Sequence, residues 1–160
     1  MKIMDKTINV TVAGLGGQGV LKVTDIFAEV MFRAGYDVKK SEVHGMSQRG
    51  GSVSSEVRFG KSVASPMVPE GESDYLVILE ETQIDNNIHK LREGGVLITP
   101  ATVPMDKLAH PKALNTLMLG ALAAHFDRSE AEWLEVLKEN LPEKVHQLNE
   151  DMFRLGKSSK

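Results

Sequence analysis

The sequence predicts a single-domain α/β protein: a Rossmann-like open sheet, mostly parallel with one hairpin, helices on both faces and a helical carboxyl-terminal part. Three observations carry this. The β-branched run Ile8 to Ala13 leads directly into the glycine-rich turn Gly14-Leu15-Gly16-Gly17-Gln18-Gly19. Further apolar runs then alternate with stretches of helical spacing, and after Pro100 and Pro104 the pattern is wholly helical.

Ile8 to Ala13 is apolar enough for a buried first strand. From Val20, the positions Val20, Val23, Phe27, Val30, Met31 and Ala34 recur at helical spacing, and Gly35 stands where a glycine stops a helix. A second strand is expected near Tyr36 to Ser41. Ser52 to Phe59 alternates Val53, Ser55, Val57 and Phe59 with Ser54, Glu56 and Arg58, the mark of a half-buried strand. Its Gly60-Lys61 turn and the run Ser62-Val63-Ala64 suggest a hairpin. Tyr75 to Leu79 reads as a central parallel strand with Glu80 at its carboxyl end. Ile84, Ile88 and Leu91 mark a helix closed by Gly94-Gly95, before a strand Val96 to Thr99. Helices follow at Ala113 to Phe126, after the capping box Ser129/Glu132, and from Glu143 to Leu155, where Gly156 ends the last one.

Size and charge bound the function. A chain of 160 residues is one domain with a substantial core, assigned to 1–160 with Lys157 to Lys160 as a disordered tail. Its 19 Lys+Arg against 22 Asp+Glu, without a basic block, leave no electrostatic footprint for nucleic acid. The absence of cysteine excludes disulfides and thiolate ligation of an iron-sulfur cluster by this chain. His44, His89, His110, His125 and His146 are too scattered to pair as ligands on one helical face, so no metal is expected. No apolar run approaches bilayer length, and Met1 to Lys6 is too short and charged for a signal peptide, so the chain reads as cytoplasmic.

The glycine turn matches Gly-x-Gly-x-x-Gly between a strand and a helix, where backbone N–H groups and a helix N-terminus can receive a phosphate. A tight crossover without ligand satisfies the same pattern. Gly17 beside Gly16 frees more backbone than such a turn requires, which favours a ligand or a close partner. A dinucleotide would also want an acidic residue ending the second strand; Asp37 stands at its start and Glu42 comes late, which weakens an NAD reading.

His44, Ser47, Gln48 and Arg49 crowd a loop with Gly45, Gly50 and Gly51 near the carboxyl edge of the sheet, where open α/β sheets bind ligands. Arg49 could fork onto a phosphate or carboxylate, and His44 could exchange a proton near neutral pH. A polar loop that caps a strand end is the plainer account of any one of these residues. Lys39 and Lys40 extend the cationic surface or are simply solvated, and Arg58 takes either a ligand or a cross-strand partner. Asn115 reads as a helix N-terminal hydrogen-bonding residue, with Leu114, Leu117, Met118, Ala121 and Leu122 as a core-facing stripe.

These residues carry a family resemblance. Gly14 to Val20, Ser41 to Val53, Val57-Arg58-Phe59-Gly60, Ser65-Pro66, Gly71-Glu72-Ser73-Asp74, Leu79-Glu80, Asn115 with Leu119-Gly120-Ala121, and the segment Asn149 to Gly156 fall in one family's order. Over nearly its whole length the chain resembles the gamma-type domain of the 2-oxoacid:ferredoxin oxidoreductases. Its His44-Gly45-Met46-Ser47-Gln48-Arg49-Gly50-Gly51 element is similar to the indolepyruvate branch; the pyruvate and 2-oxoglutarate branches keep chiefly the Arg-Gly-Gly.

The resemblance implies a subunit, inactive alone, of an anaerobic enzyme. That enzyme oxidatively decarboxylates an aryl 2-oxoacid, indolepyruvate, with coenzyme A to an acyl-CoA, reducing ferredoxin as electron acceptor. Thiamine diphosphate and the iron-sulfur clusters are implied in a partner alpha subunit, and a homodimer stays open. A coenzyme A phosphate is expected at Gly14, Gly16, Gly17, Gln18 and Gly19. Glu42, Ser47, Gln48 and Gly50 are expected to bind the cofactor as well, and Glu42, His44, Gln48 and Arg49 to face the partner's active site, with His44 and Arg49 as its catalytic contributions. One departure stands out: between Pro104 and Asn115 the chain is short where the family carries a longer strand and loop. The alternatives are a gamma subunit for pyruvate, 2-oxoglutarate or a branched-chain 2-oxoacid, a stand-alone nucleotide-binding or regulatory module, and a self-sufficient NAD dehydrogenase.

Overall fold

Five strands form one sheet in the order β2-β3-β1-β4-β5 in the computed structural model, which describes residues 6–44 and 51–159, the side chain of His44 excepted. β1 (Ile8–Leu15) pairs parallel with β4 (Ser73–Ile78), and β4 pairs parallel with β5 (Leu91–Ile98). β3 (Ser52–Gly60) lies antiparallel between β1 and β2 (Asp37–His44). Four strands therefore share a direction and β3 alone opposes them.

The hairpin is β2–β3, joined through 45–51, and not the expected pairing of β3 with Ser62 to Ala64. Both sides of β3 are already taken by β1 and β2, so no ladder is left for residues 62–64. They belong instead to the irregular segment 61–72, which polar side chains of the sheet hold. Arg58 donates to the carbonyls of Ser65 (2.8 Å) and Met67 (3.0 Å) and to Oδ1 of its register partner Asn9 (2.9 Å). The Val63 N–H donates to Asp37 at 2.7 Å.

α1 (Val20–Arg33), α3 (Leu114–Ala123), α4 (Glu130–Glu139) and α5 (His146–Lys157) share one core with one sheet face. Val10, Val12, Val57, Phe59 and Val77 meet Phe27, Leu117, Trp133 and Phe153 there. Phe27 makes edge contacts with Phe59 at 5.5 Å and Phe126 at 5.1 Å between centroids. Helices do lie on both faces, but unequally. Among the described residues the one helix on the second face is α2 (Ile84–Asn87) with its flanking 3-10 turns, beside segment 61–72, and the apolar cluster there is Ala13, Leu76 and Ile78.

Two further boundaries and the burial of one helix differ from expectation. Gly94-Gly95 do not end a helix: the helical segment stops at Lys90, and the two glycines form a bulge within β5, where the register jumps from Ser73↔Leu91 to Tyr75↔Val96. A Cβ on Gly95 would meet Asp74 O at 3.1 Å, so the bulge presses close to β4. α3 is buried nearly all round rather than along one stripe, because α5 covers the side that the sheet and α1 leave open. Gly156 does not stop α5, which runs through Lys157. Ser158 and Ser159 close it by backbone bonds to the carbonyls of Arg154 and Gly156.

Gly120 and Gly156 explain why those two helices touch. A Cβ on Gly120 would run into the Phe153 carbonyl and stand 2.9 Å from Lys157 N, and one on Gly156 would run into the Leu117 carbonyl and stand 3.0 Å from Ala121 N. The backbones cross in direct contact, as only glycine permits. Gly120→Ala or Gly156→Ala is expected to lower unfolding free energy by about 2 kcal/mol or more, read by urea denaturation, since backbone cannot yield as a side chain can.

Asp37 predicts an acid response. The hydrogen bond from Val63 N–H first, then that from Lys39, holds its carboxyl below the usual carboxylate value of 3.8. A lowered carboxylate stabilises the fold above its unfolded value and loses that effect as pH falls through the folded one. Amide exchange at Val63 should therefore accelerate relative to the core only below about pH 4, and Asp37→Asn should abolish that step.

Candidate functional site at the carboxyl edge of the sheet

Because β3 runs backwards, its start and the end of β2 lie at the same edge as the ends of β1 and β4. The glycine turn, the ends of the 45–51 connection and Glu80 thus assemble there. Gly16 N–H donates to Gly51 O at 2.8 Å, tying the turn to the hairpin.

The turn is braced from within. Gln18 Oε1 accepts from Leu15 N–H at 2.7 Å, and Gln18 Nε2 donates to Glu80 Oε1 at 3.1 Å. Gly14 is a packing position, where a Cβ would lie 2.8 Å from Gln18 Oε1 and 3.0 Å from Val20. Gly17 and Gly19 have positive φ of 90° and 84°. Around Gly17 a Cβ would meet nothing within 4 Å, so that position opens to solvent. Gly19 caps α1 without a side-chain bond, and the first turn of α1 carries no acidic residue. An uncapped helix N-terminus of this sign favours an anion.

Two clefts meet at this turn. One of about 440 Å³ is lined by Leu15, Gly16, Gly17, Leu21, Lys22 and Val53. The other, about 660 Å³, runs from Gly17, Gln18 and Gly19 to Met105, Leu108, Lys112 and Asn115. Asn115, read from sequence as a helix-start residue, does accept from Thr116 N–H at 3.0 Å, and its side chain also packs on Gly19. Lys22, Leu108 and Lys112 line the clefts without any sequence motif to announce them; their place follows from the crossing of α1 and the turns before α3.

The remaining expected residues divide. Glu42 lies exposed on β2 opposite Ser55, and the His44 backbone lies opposite Val53, a wall of the first cleft. The side chain of His44, and Ser47, Gln48, Arg49 and Gly50, lie outside the described residues. Lys39 and Lys40 form ion pairs with Asp37 and Asp25, and Arg58 serves the fold as described above, so none of the three extends a cationic surface here. Among the described residues no group of three or more His, Asp or Glu is placed to hold a metal ion, and no helix is long and apolar enough to cross a membrane.

An open sheet with a glycine turn, an inserted antiparallel strand and a helical carboxyl-terminal third defines a class, and the class has a name: residues 9–159 match the pyruvate ferredoxin/flavodoxin oxidoreductase family, to which the chain belongs. The indolepyruvate oxidoreductase subunit IorB of Thermococcus kodakarensis is 31% identical, with 94% of this chain and 95% of the relative covered. IorB of Methanothermobacter thermautotrophicus is 30% identical over 92% and 95%. The alignment with the first spans 191 positions, more than this chain has residues, so that relative carries insertions. Where a longer strand and loop were expected, this chain has only the turns Met105–Lys107 and Pro111–Ala113 before α3. The gamma subunit of a keto/oxoacid ferredoxin oxidoreductase from Geobacter sulfurreducens shares the fold, with a TM-score of 0.77, 22% identity and 96% of each chain covered. A 2-oxoglutarate:ferredoxin oxidoreductase from Magnetococcus marinus, solved with 2-oxoglutarate, coenzyme A and succinyl-CoA bound, superposes with a TM-score of 0.84 at 22% identity, over 96% of this chain and 31% of that one.

The two positive-φ glycines separate by substitution. Gly17→Ala is expected to cost about 1–2 kcal/mol of backbone strain alone. Gly19→Ala should cost more, because its Cβ would also stand 2.9 Å from Asn115 Cγ. Adding Asn115→Ala should recover part of the second loss and none of the first, measured by urea denaturation of the four variants.

Proposed function

We propose that this chain is the non-cluster subunit of a 2-oxoacid:ferredoxin oxidoreductase whose substrate is indolepyruvate. It assembles with an alpha subunit that carries thiamine diphosphate and the iron-sulfur clusters, and the complex passes electrons to ferredoxin in the cytoplasm. The observation that carries this reading is full-length kinship with the two IorB subunits, together with a hairpin connection bearing His44, Gln48 and Arg49 whose ends sit beside the glycine turn. A chain with no cysteine cannot itself supply thiolates to a cluster, which fits the division of labour.

Coenzyme A suits the turn. Its phosphate would be received by the backbone around Gly17 and Gly19 and by the uncapped start of α1, with Lys22 and Lys112 on the two flanking cleft walls. Gly16 and Gln18 act differently: they hold the turn in shape, through Gly51 on one side and Glu80 on the other. Arg49 offers a bidentate fork to a phosphate or carboxylate at the partner's site, and His44 a proton donor or acceptor. Thiamine diphosphate supplies the decarboxylation chemistry from the partner; this chain contributes binding, orientation and exclusion of water.

Anaerobic co-purification from native cells should yield a brown complex that reduces a dye with indolepyruvate and coenzyme A, and neither subunit alone should do so. In that complex Arg49→Ala is expected to raise KM for coenzyme A about tenfold, or to weaken assembly. A colourless lone protein, or an Arg49→Ala complex unchanged in both respects, would overturn the assignment. A substrate panel including branched-chain 2-oxoacids and pyruvate tests the alternative favoured by the weaker likeness to a ketoisovalerate oxidoreductase subunit VorA, 30% identical over 73% of this chain.

A further inference from the structure

Three loops meet at the carboxyl edge of the sheet: the glycine turn, the start of β3, and the turn Glu81–Gln83 that follows β4. One backbone bond, from Gly16 N–H to Gly51 O at 2.8 Å, joins the first two directly. A single hydrogen bond is a pivot: it holds two loops at one point and tolerates a broad range of angles between them.

The third loop gives each of the others a second attachment. Glu80 Oε1 accepts from Gln18 Nε2 at 3.1 Å, while the oxygen of the same Gln18 amide accepts from Leu15 N–H at 2.7 Å, so the glycine turn is gripped at its middle. Three residues on, Gln83 Oε1 accepts from Ser52 Oγ at 2.8 Å. Gln83 N–H donates to Glu80 O at 2.9 Å, which sets the spacing of the two arms. The bonds close a ring that runs through Gly16, Gly51, Ser52, Gln83, Glu80 and Gln18.

The loop that carries both arms is itself anchored. Gln83 is 7% exposed and Asn87 6%; Asn87 Nδ2 donates to Gln83 O at 2.8 Å, and Lys90 Nζ donates to Asn87 Oδ1 at 2.8 Å. A buried amide costs free energy unless it is hydrogen-bonded, and an apolar side chain at position 83 would carry no such cost. Ser52 is exposed and borders a small cavity of about 170 Å³ beside Gln83 and Asn86, so its bond to Gln83, more than packing, holds it.

The ring acts on a cleft that lies on the opposite face. Ser55 of β3 bonds Thr24 of α1, and Arg58 reaches segment 61–72, so alternation puts Ser52 on the second face and Val53 on the first. Val53 is one wall of the 440 Å³ cleft, and Leu15, Gly16 and Gly17 of the glycine turn form another. The two walls are therefore tied together from behind the sheet.

We propose that Glu80 and Gln83 are positioning residues that fix the glycine turn against the start of β3 and so set the width of this cleft for its ligand. Their role in turnover rests on the reading that coenzyme A binds at the glycine turn. Neither residue touches the ligand; each acts through the wall that it holds.

Exchange of the Gly16 amide in the chain alone reads the junction. Loss of either arm, by Glu80→Ala, Gln83→Leu or the milder Ser52→Ala, is expected to speed it about fivefold with amides at the centre of β1 unchanged. Glu80→Gln keeps an acceptor and Ser52→Thr keeps the hydroxyl, and both should stay within about twofold of wild type. In the assembled complex the same losses are expected to raise KM for coenzyme A about fivefold with kcat within about twofold. Glu80→Ala with Ser52→Ala should raise it no more than about tenfold, since orientation is set only while both arms hold. A Gly16 amide indifferent to both arms, conservative variants that behave like the alanines, or a double variant near the product of about 25-fold would each overturn the proposal. Gly16 exchange as expected with KM unmoved bears out the brace and counts against coenzyme A in this cleft.

Discussion

The antiparallel insertion of β3 between β1 and β2 is the constraint on which the rest of the structure depends. With a parallel strand in that place, the connection after β2 would have to cross to the far edge of the sheet to reach the start of β3. Because β3 runs back, residues 45–51 join two strand ends at the edge where β1 ends in its glycine turn, and the Gly16 to Gly51 bond closes the junction. The ends of that connection and the glycine turn, far apart in sequence, thus lie side by side. The same insertion occupies both sides of β3, which forces segment 61–72 out of the ladder and onto the second sheet face.

That second face is held differently from the first. On the first, aliphatic and aromatic side chains from four helices pack against alternate strand positions, and the contacts are apolar save for the buried Thr24–Ser55 hydroxyl pair at 2.9 Å. On the second, Arg58, Asp37, Ser41 and Asn9 fix an irregular segment through its backbone groups. Backbone outside a ladder still takes partners of this kind, and polar strand residues supply them. Arg58 is therefore explained by the carbonyls that it satisfies, and its basic charge carries no information about a ligand.

Glycine performs separate tasks at positions that look alike in sequence. Gly14 lets the first strand approach α1 and Gln18, Gly17 and Gly19 supply positive φ, and Gly120 with Gly156 lets two helices touch backbone to backbone. Within the turn the groups divide in the same way. Gly16 and Gln18 are engaged in holding the loop, while Gly17 opens outward and Gly19 begins an uncapped helix. Part of the motif is thus left open, and the remainder keeps that part in place.

Sequence alone determined the class of fold, the first strand-turn-helix unit, the Ser129/Glu132 capping box and the position of the glycine turn, because each rests on local periodicity or on residues with special backbone freedom. It also singled out the segment 42–52, most of which lies outside the described residues. Tertiary structure decided the rest. Whether a strand pairs with its neighbour in sequence depends on which edges are already occupied, and that is why the hairpin fell at β2–β3. Whether Gly94-Gly95 end a helix or bulge a strand depends on the approach of Asp74 from β4. Asn115, Lys22 and Lys112 reach the clefts only because α1 and the turns before α3 converge on the same edge, and no pattern along the chain encodes that convergence.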